Sequence, residues 1–275
     1  MHGCSVQTVA GRRGAEYLVE LSGAAKVRGK ATHLGAGLYQ GEFETPRVGS
    51  YELTVAEAQC CGLSAELFNN RWLLGDPVSA RVDPTVDFTW AVGDAVSPTG
   101  RDYVSVRWAG YLQPSFAETF EFVLEINDGA RLFLDDALLL DAFEAQVDDP
   151  AIDHADGAPV AFTTYTVQTH EALAADRLYA LRLEFRESTG GAVARLLWRS
   201  ASQPLEVVPA HRLFYATAAL PLSPWEVRPL PVEPLAVVGV SLAVAAWDQL
   251  EVAWQAPWDD GGAEVDGYKV NAYRV

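Results

Sequence analysis

The sequence predicts an all-β protein made of successive small modules, and three observations lead to this prediction. Apolar and polar residues alternate over Val104–Leu112 and again over residues 119–126, as they do in half-buried strands. Runs of glycine, asparagine and aspartate, which favour turns, follow or separate such stretches. The 275 residues include 22 Gly and 15 Pro, and 49% are hydrophobic, so the chain supplies both turn residues and material for ordered cores.

The centre of the chain predicts strands joined in hairpins. Asn127-Asp128-Gly129 follows one alternating run and precedes another, which predicts a tight turn at the tip of a hairpin. Residues 178–185 and 192–198 are two further apolar-alternating runs, and Gly190-Gly191 lies between them. This second pair of runs predicts another hairpin of the same antiparallel barrel or sandwich.

Several central segments, in this order, carry a resemblance to a known family. They are RWAGYL with Trp108 and Tyr111, TFEFVLEINDGARLFLDD, LYALRLEF, and LLW followed by VVPAHRLFY. Together they resemble the protective-antigen-like (PA-fourteen) domain, which is known from a bacterial toxin, glycosidase insertions and yeast flocculin-type adhesins. The resemblance implies a PA-fourteen-type β-barrel or sandwich over residues 85–217.

Shorter resemblances flank this module. GLYQGEFETPRVGSYELTVAEA, with NNRWLLGDPVSARV as a last strand, is similar to a filamin-type immunoglobulin-like repeat and implies a sandwich over residues 1–84. LEVAWQAPWDDGGAEVDGYKV resembles the start of a fibronectin type III domain, which implies a partial sandwich over residues 235–275. The proline-rich residues 218–234 predict a stiff linker. This organisation predicts a fragment of a longer multidomain protein.

Net charge narrows the classes of partner. The formal charge of −17 argues against nucleic acid and anionic membranes, which both need a basic surface. It is compatible with a surface that binds divalent cations, but charge alone favours the simpler explanation that acidic residues keep the surface soluble. No secretory signal is visible at the start and no apolar stretch is long enough to span a bilayer. The extracellular or cell-surface location is therefore inferred from the domain resemblance alone.

The sequence contains no recognisable catalytic motif, so the chain is not expected to be an enzyme. The histidines do not have the spacing of a zinc site, and the sequence has no Gly-x-Ser-x-Gly elbow, phosphate-binding loop or dinucleotide fingerprint. The five scattered histidines are His2, His33, His154, His170 and His211.

The candidate binding site is Asn127-Asp128. In the adhesin branch of the family, two consecutive aspartates joined by a cis peptide hold a calcium ion that binds sugar hydroxyls, and a second loop completes the coordination. The resemblance places that loop near residues 187–191, with Glu187 where an asparagine ligand stands in that branch. Oxygen ligands suit calcium, although Asn127 replaces one carboxylate. The alternative is that Asn127-Asp128 serves only as a turn.

Most aromatic residues of this module fall on strands and are expected in the core, whereas Phe116 and Phe143 could project from loops to stack on a sugar.

The three cysteines, Cys4, Cys60 and Cys61, do not make a disulfide framework. Because Cys60 and Cys61 are adjacent, a bridge between them would strain the chain, and Cys4 could pair with one of them instead. Their redox state stays open.

The resemblances imply a non-catalytic protein that recognises a glycan or a surface protein, as in adhesion, with calcium as the cofactor to test. One alternative is a structural scaffold that binds proteins by strand addition and binds no sugar. A weaker alternative is the accessory region of a larger hydrolase.

Overall fold

The structure is a computed structural model that describes residues 3–9, 16–36, 38–46, 48–98, 100–144, 160–220, 223–228, 236–246, 249–257 and 265–269. Over these residues the fold is all-β, as predicted, and the one helical segment among them is a 3-10 turn at Ala210–Arg212. The chain divides into two compact units, Met1–Glu57 with Ala218–Val275, and Ala58–Thr217.

Twenty strands make up the described part of the chain. In chain order they are β1 (Gly3–Val9), β2 (Glu16–Gly23), β3 (Val27–Gly35), β4 (Leu38–Glu44), β5 (Tyr51–Cys60), β6 (Leu63–Phe68), β7 (Ser79–Asp83), β8 (Asp87–Trp90), β9 (Val104–Leu112), β10 (Glu121–Asn127), β11 (Gly129–Leu134), β12 (Ala137–Ala142), β13 (Thr163–Gln168), β14 (Tyr179–Glu187), β15 (Ala192–Arg199), β16 (Glu206–Val207), β17 (Leu213–Ala219), β18 (Trp225–Val227), β19 (Val238–Ala246) and β20 (Gln249–Gln255).

The first unit contains an antiparallel sheet in the order β1-β4-β3-β2-β5, with β18 on β5. Alternate residues of these strands are buried together, as the sequence pattern predicts. The buried set is Tyr17, Val19, Leu21, Tyr39, Phe43, Tyr51, Leu53 and Val55. Trp225 of β18 pairs with Leu53 and packs against this cluster, so the segment predicted to be only a linker contributes a strand.

A two-stranded antiparallel sheet, β19 with β20, lies in the region predicted to begin a fibronectin type III domain. Several of its apolar side chains are exposed, among them Val240 and Leu242. The ring of Trp254 lies 5.3 Å from that of Tyr268, in edge-to-face contact.

The second unit is built from two antiparallel sheets around one core. In the first sheet, β9 pairs with β14 on one side and with β6 and β17 on the other, and β7, β11 and β12 extend it. In the second sheet, the order is β13-β10-β15, and β8 and β16 both pair with β15. The largest fully buried aromatic side chains of this core, several of them predicted, are Trp108, Trp198, Phe120, Phe122 and Phe185.

The second unit begins earlier than the sequence indicated. The expected boundary lay between residues 84 and 85, whereas β6 and β7 belong to the second unit. The reason is pairing and burial: β6 pairs with β9, and its alternate residues Leu63, Ala65 and Leu67 are fully buried in the core of that unit. The segment interpreted as the last strand of the preceding repeat is therefore the first part of the central module.

The hairpins predicted at Asn127-Asp128-Gly129 and at Gly190-Gly191 are absent from these sheets. Strand β10 lies in the second sheet and β11 in the first, so the chain crosses between sheets at Asp128. Likewise, β14 lies in the first sheet and β15 in the second, so residues 188–191 form another crossing. Alternation predicts the strands, but it does not specify which neighbour each strand pairs with.

A ladder of alternating charges crosses the first sheet. Glu66 on β6 is opposite Arg107 on β9, which is opposite Glu184 on β14, which in turn is opposite Arg131 on β11. Glu184 is buried, and its carboxylate lies 2.7 Å from Arg131 Nη2, 3.2 Å from Arg182 Nη1 and 3.5 Å from Arg107 Nε. Cross-strand pairs of opposite charge help to fix the register of these strands.

The cysteine pairing differs from the expectation. Cys60 and Cys61 are joined to each other by a disulfide across a cis peptide bond, and their Cα atoms are 3.2 Å apart. Because both sulfurs are used, neither is available to Cys4 in this structure.

Candidate functional site

The two crossings between the sheets meet at the candidate site. Gly129, which directly follows Asp128, pairs with Arg186, which directly precedes Glu187, in the β11–β14 ladder. The backbone N–H of Ser188 donates a hydrogen bond to Asp128 Oδ2 at 2.6 Å. Residues 127–128 and the loop after Glu187, which the resemblance placed together, are therefore adjacent.

The candidate side chains are all buried. Asn127 and Glu187 are 0% exposed and Asp128 is 1% exposed. Asn127 and Asp128 are joined by a cis peptide bond, the arrangement that the resemblance implies. Buried polar side chains require satisfied interactions, and Asn127 Nδ2 donates to the carbonyl oxygen of Ala161 at 2.7 Å. These residues are not at the exposed tip of a hairpin, which is where the turn-only interpretation places them.

Backbone contacts hold the second crossing in place. The N–H of Tyr103 donates to the carbonyl oxygen of Ser188 at 2.8 Å, and the N–H of Gly190 donates to Asp102 Oδ1 at 3.2 Å. On the other side, Gly129 is close to the backbone of Phe143, and a Cβ at this position would fall on the Phe143 carbonyl oxygen. The surroundings of Asp128 and Glu187 are therefore fixed from both sides.

The chemistry of the site is that of oxygen donors. Asn127, Asp128 and Glu187 carry the amide and carboxylate oxygens that a hard cation such as calcium prefers. In the part of the chain that the structure describes, no three His, Cys, Asp or Glu side chains cluster in a way that could hold a metal ion. A cation here would have to use the Asn127 amide or backbone oxygens in addition to the two carboxylates.

The loop aromatics proposed from sequence have different environments. Phe143 is buried beside Phe68 and Leu73, so it is not available to stack on a ligand, whereas Phe116 is partly exposed. The sequence did not single out Trp72 and Tyr103, which are 55% and 58% exposed near the second crossing. The sequence does show Trp72 among turn-forming residues, a pattern that indicates an exposed aromatic side chain on a loop. It was not considered as a candidate because its segment was assigned to the preceding module.

No helix among the described residues has both the length and the apolar character needed to cross a membrane.

Comparison with known proteins identifies a family model and several relatives. The model of the PA14 domain, the protective-antigen-like family, matches residues 61–211. The anti-sigma-I factor RsgI3 of Acetivibrio thermocellus is 32% identical over 168 residues, which are 61% of this chain and 23% of that protein. The chain therefore spans about a quarter of the length of this curated relative.

Solved structures give the same two kinds of neighbour. An anti-sigma factor domain-containing protein is 30% identical, with a TM-score of 0.49, over 58% of this chain and 50% of that one. A PA14 sugar-binding domain from an RTX adhesin is 13% identical, with a TM-score of 0.44, over 57% of this chain and 99% of that one. Relatives named as anti-sigma factors were not predicted from the sequence.

Proposed function

Since the chain belongs to the PA14 domain family, we propose that residues 58–217 form a non-catalytic module that binds a glycan with the help of calcium. Asn127, Asp128 and Glu187 would supply oxygen ligands to the ion, and the ion would in turn bind sugar hydroxyls. The module would act outside the cell, where glycans are displayed.

The observation that carries this proposal is the meeting of the two crossings. Asp128 and Glu187 are acidic, buried and on adjacent segments. Burying a carboxylate is costly, because the charged group loses its water. A bound cation would offset that cost for both residues, and carboxylate oxygens are ligands that calcium prefers.

A purely structural explanation of the same residues is the main alternative. A turn would favour exposed side chains and positive φ values, as at Asp135 and Asp136 between β11 and β12. Asn127 and Asp128 have neither feature: both are buried, and the positive φ values recorded for the described residues fall elsewhere. This contrast between Asn127-Asp128 and Asp135-Asp136 favours a binding role for Asn127 and Asp128.

The similarity to an anti-sigma-I factor suggests how the module is used. A shared segment at 32% identity is consistent with the same kind of module attached to different partner domains. We propose that in the longer protein this module recognises the ligand while another region passes on the signal. If so, the full-length protein should co-purify with a sigma factor, and an adhesin or the accessory region of a hydrolase should not.

The neighbouring strands are proposed to hold the module in position. We assign the sheet of β1–β5 to a filamin-type immunoglobulin-like repeat and β19–β20 to the start of a fibronectin type III domain. The alternating burial of Tyr51, Leu53 and Val55 supports the first assignment, and the Trp254–Tyr268 contact supports the second. A crystal structure of the full-length protein would test both assignments.

The proposal is tested by screening the full chain against a glycan array with calcium or with a chelator. We expect binding in calcium, loss of binding in chelator, and loss in Asp128→Asn, which keeps the size of the side chain and removes its charge. Asp136→Asn is the matched control, because it removes the same charge from an exposed turn. Binding that is unaffected by both the chelator and Asp128→Asn would show that the site assignment is wrong.

A further inference from the structure

An aromatic and cationic cluster is formed by Arg71 and Trp72, on the loop between β6 and β7, and by Tyr103, which directly precedes β9. The side chains of Trp72 and Tyr103 are 55% and 58% exposed. The guanidinium carbon of Arg71 lies 5.1 Å from the centroid of the Trp72 ring and 5.8 Å from that of Tyr103. Both distances fall within the range of cation–π interaction, so the three side chains form one group.

The loop that carries Trp72 is held in a fixed shape by Asn70. Asn70 Oδ1 accepts hydrogen bonds from the N–H groups of Trp72 at 2.9 Å and Leu74 at 3.1 Å. Asn70 Nδ2 donates to the carbonyl oxygen of Leu74 at 2.9 Å. One side chain therefore satisfies three backbone groups of the loop, as asparagine often does in turns.

The loop is also anchored to the sheet beneath it. Ser105 Oγ on β9 donates to the carbonyl oxygen of Asn70 at 2.6 Å and accepts from the N–H of Leu73 at 3.2 Å. Leu73, between two exposed residues, is buried against Phe68 and Phe143. An exposed ring on such an anchored loop loses little conformational entropy when a ligand stacks on it.

The cluster is continuous with the candidate site. Arg71 Nη1 donates to Ser188 Oγ at 2.9 Å, and the N–H of the same serine donates to Asp128 Oδ2 at 2.6 Å. Ser188 thus contacts the exposed cluster through its side chain and the buried acid through its backbone. Two hydrogen bonds through Ser188 therefore link the cluster to Asp128.

We propose that Arg71, Trp72 and Tyr103 form a stacking platform for a second sugar ring of a neutral glycan chain, next to the ring held at Asn127-Asp128. This inference rests on the proposed function, and it adds the length and charge class of the ligand. The apolar face of a pyranose packs on an aromatic ring, while a guanidinium donates to its hydroxyls. The net charge of −17 disfavours a polyanionic chain.

The test compares short and long ligands on the full chain. Calorimetry in calcium would use xylose and xylohexaose, glucose and cellohexaose, and galactose and β-1,4-linked galactohexaose. The variants are Trp72→Ala, Trp72→Phe and Asp128→Asn. Leu74→Ala is the control, because Leu74 is 74% exposed in the same loop and its bonds to Asn70 use only backbone atoms.

For at least one sugar, we expect wild type to bind the hexasaccharide more tightly than the monosaccharide. Trp72→Ala should lose hexasaccharide affinity by about tenfold or more, with monosaccharide affinity unchanged. Trp72→Phe should recover part of the loss, and Leu74→Ala should behave as wild type.

The failures can be told apart. Equal hexasaccharide binding by wild type and Trp72→Ala would overturn the platform and leave the ion site standing. Loss with Trp72→Ala but not with Asp128→Asn would keep the platform and overturn the ion site. If wild type binds none of the six sugars, both are overturned in favour of a protein partner.

Discussion

Asp128 is expected to contribute to stability through the oxygen that accepts the Ser188 hydrogen bond, and to calcium binding through its negative charge. Two substitutions, Asp128→Ala and Asp128→Asn, separate these contributions. Asp128→Ala removes the acceptor of the Ser188 N–H, and both residues are buried, with exposures of 1% and 4%. Hydrogen bonds to charged groups contribute about 1.5–3 kcal/mol, and a buried unsatisfied donor costs about 1–3 kcal/mol. We therefore expect a loss of about 2–3 kcal/mol in the free energy of unfolding.

Asp128→Asn keeps an oxygen that can accept the same bond and removes the buried charge. Its free energy of unfolding should stay within about 1 kcal/mol of wild type, because an amide oxygen accepts hydrogen bonds as a carboxylate does. For a domain of this size, the alanine variant should melt about 5–10 °C lower than wild type.

The assay is urea unfolding of the full chain in chelator, so that bound calcium does not add to stability. Tryptophan fluorescence and circular dichroism should report coincident transitions, and the dependence on urea should be unchanged between variants. Equal unfolding free energies for the alanine and asparagine variants would refute the structural role assigned to the Ser188 bond.

Three further substitutions follow from the fold, each checked by thermal melting. Glu184→Ala leaves three guanidinium groups without their shared carboxylate and should lower the free energy of unfolding by about 2 kcal/mol after screening by solvent. An unchanged melting temperature would mean that the ladder is a set of independent surface pairs. Gly129→Ala places a methyl group on the backbone of Phe143 and should cost about 1–3 kcal/mol, and wild-type stability would show that the strands can separate there. Asp83→Ala leaves the buried indole N–H of Trp108, now 2.8 Å from Asp83 Oδ2, without its acceptor and should cost about 1–3 kcal/mol. An unaltered melting temperature in that variant would mean that water replaces the carboxylate.

Several strands of the central module could be predicted because buried apolar residues recur at every second position. In Val104–Leu112, for example, Val104, Val106 and Trp108 are buried, which is the alternation that the sequence displays. The pairing of the strands was not predictable in the same way. The run Glu121–Ile126 has the same alternating pattern whether its end turns back in a hairpin or crosses to the opposite sheet. The strands that it pairs with decide between these outcomes, and they lie far away in sequence.

The members of the candidate site and the adjacency of their segments were expected from the family resemblance, but their full burial was not. Asn127, Asp128 and Glu187 were selected through family resemblance, and the structure brings their segments together through the bond between Asp128 and Ser188. The platform at Trp72 was missed for a physical reason. Its loop is fixed by Ser105, a residue distant in sequence, and a local pattern contains no information about such an anchor.

The most direct test of the central claim is calorimetric titration of calcium into the full chain, for wild type, Asp128→Asn and Asp136→Asn. We expect wild type and Asp136→Asn to bind calcium saturably, in the range of about 10⁻⁶ to 10⁻³ M that oxygen-rich sites span, and Asp128→Asn to lose this binding. If wild type does not bind calcium, or if Asp128→Asn binds it as wild type does, then Asn127, Asp128 and Glu187 are not a calcium site.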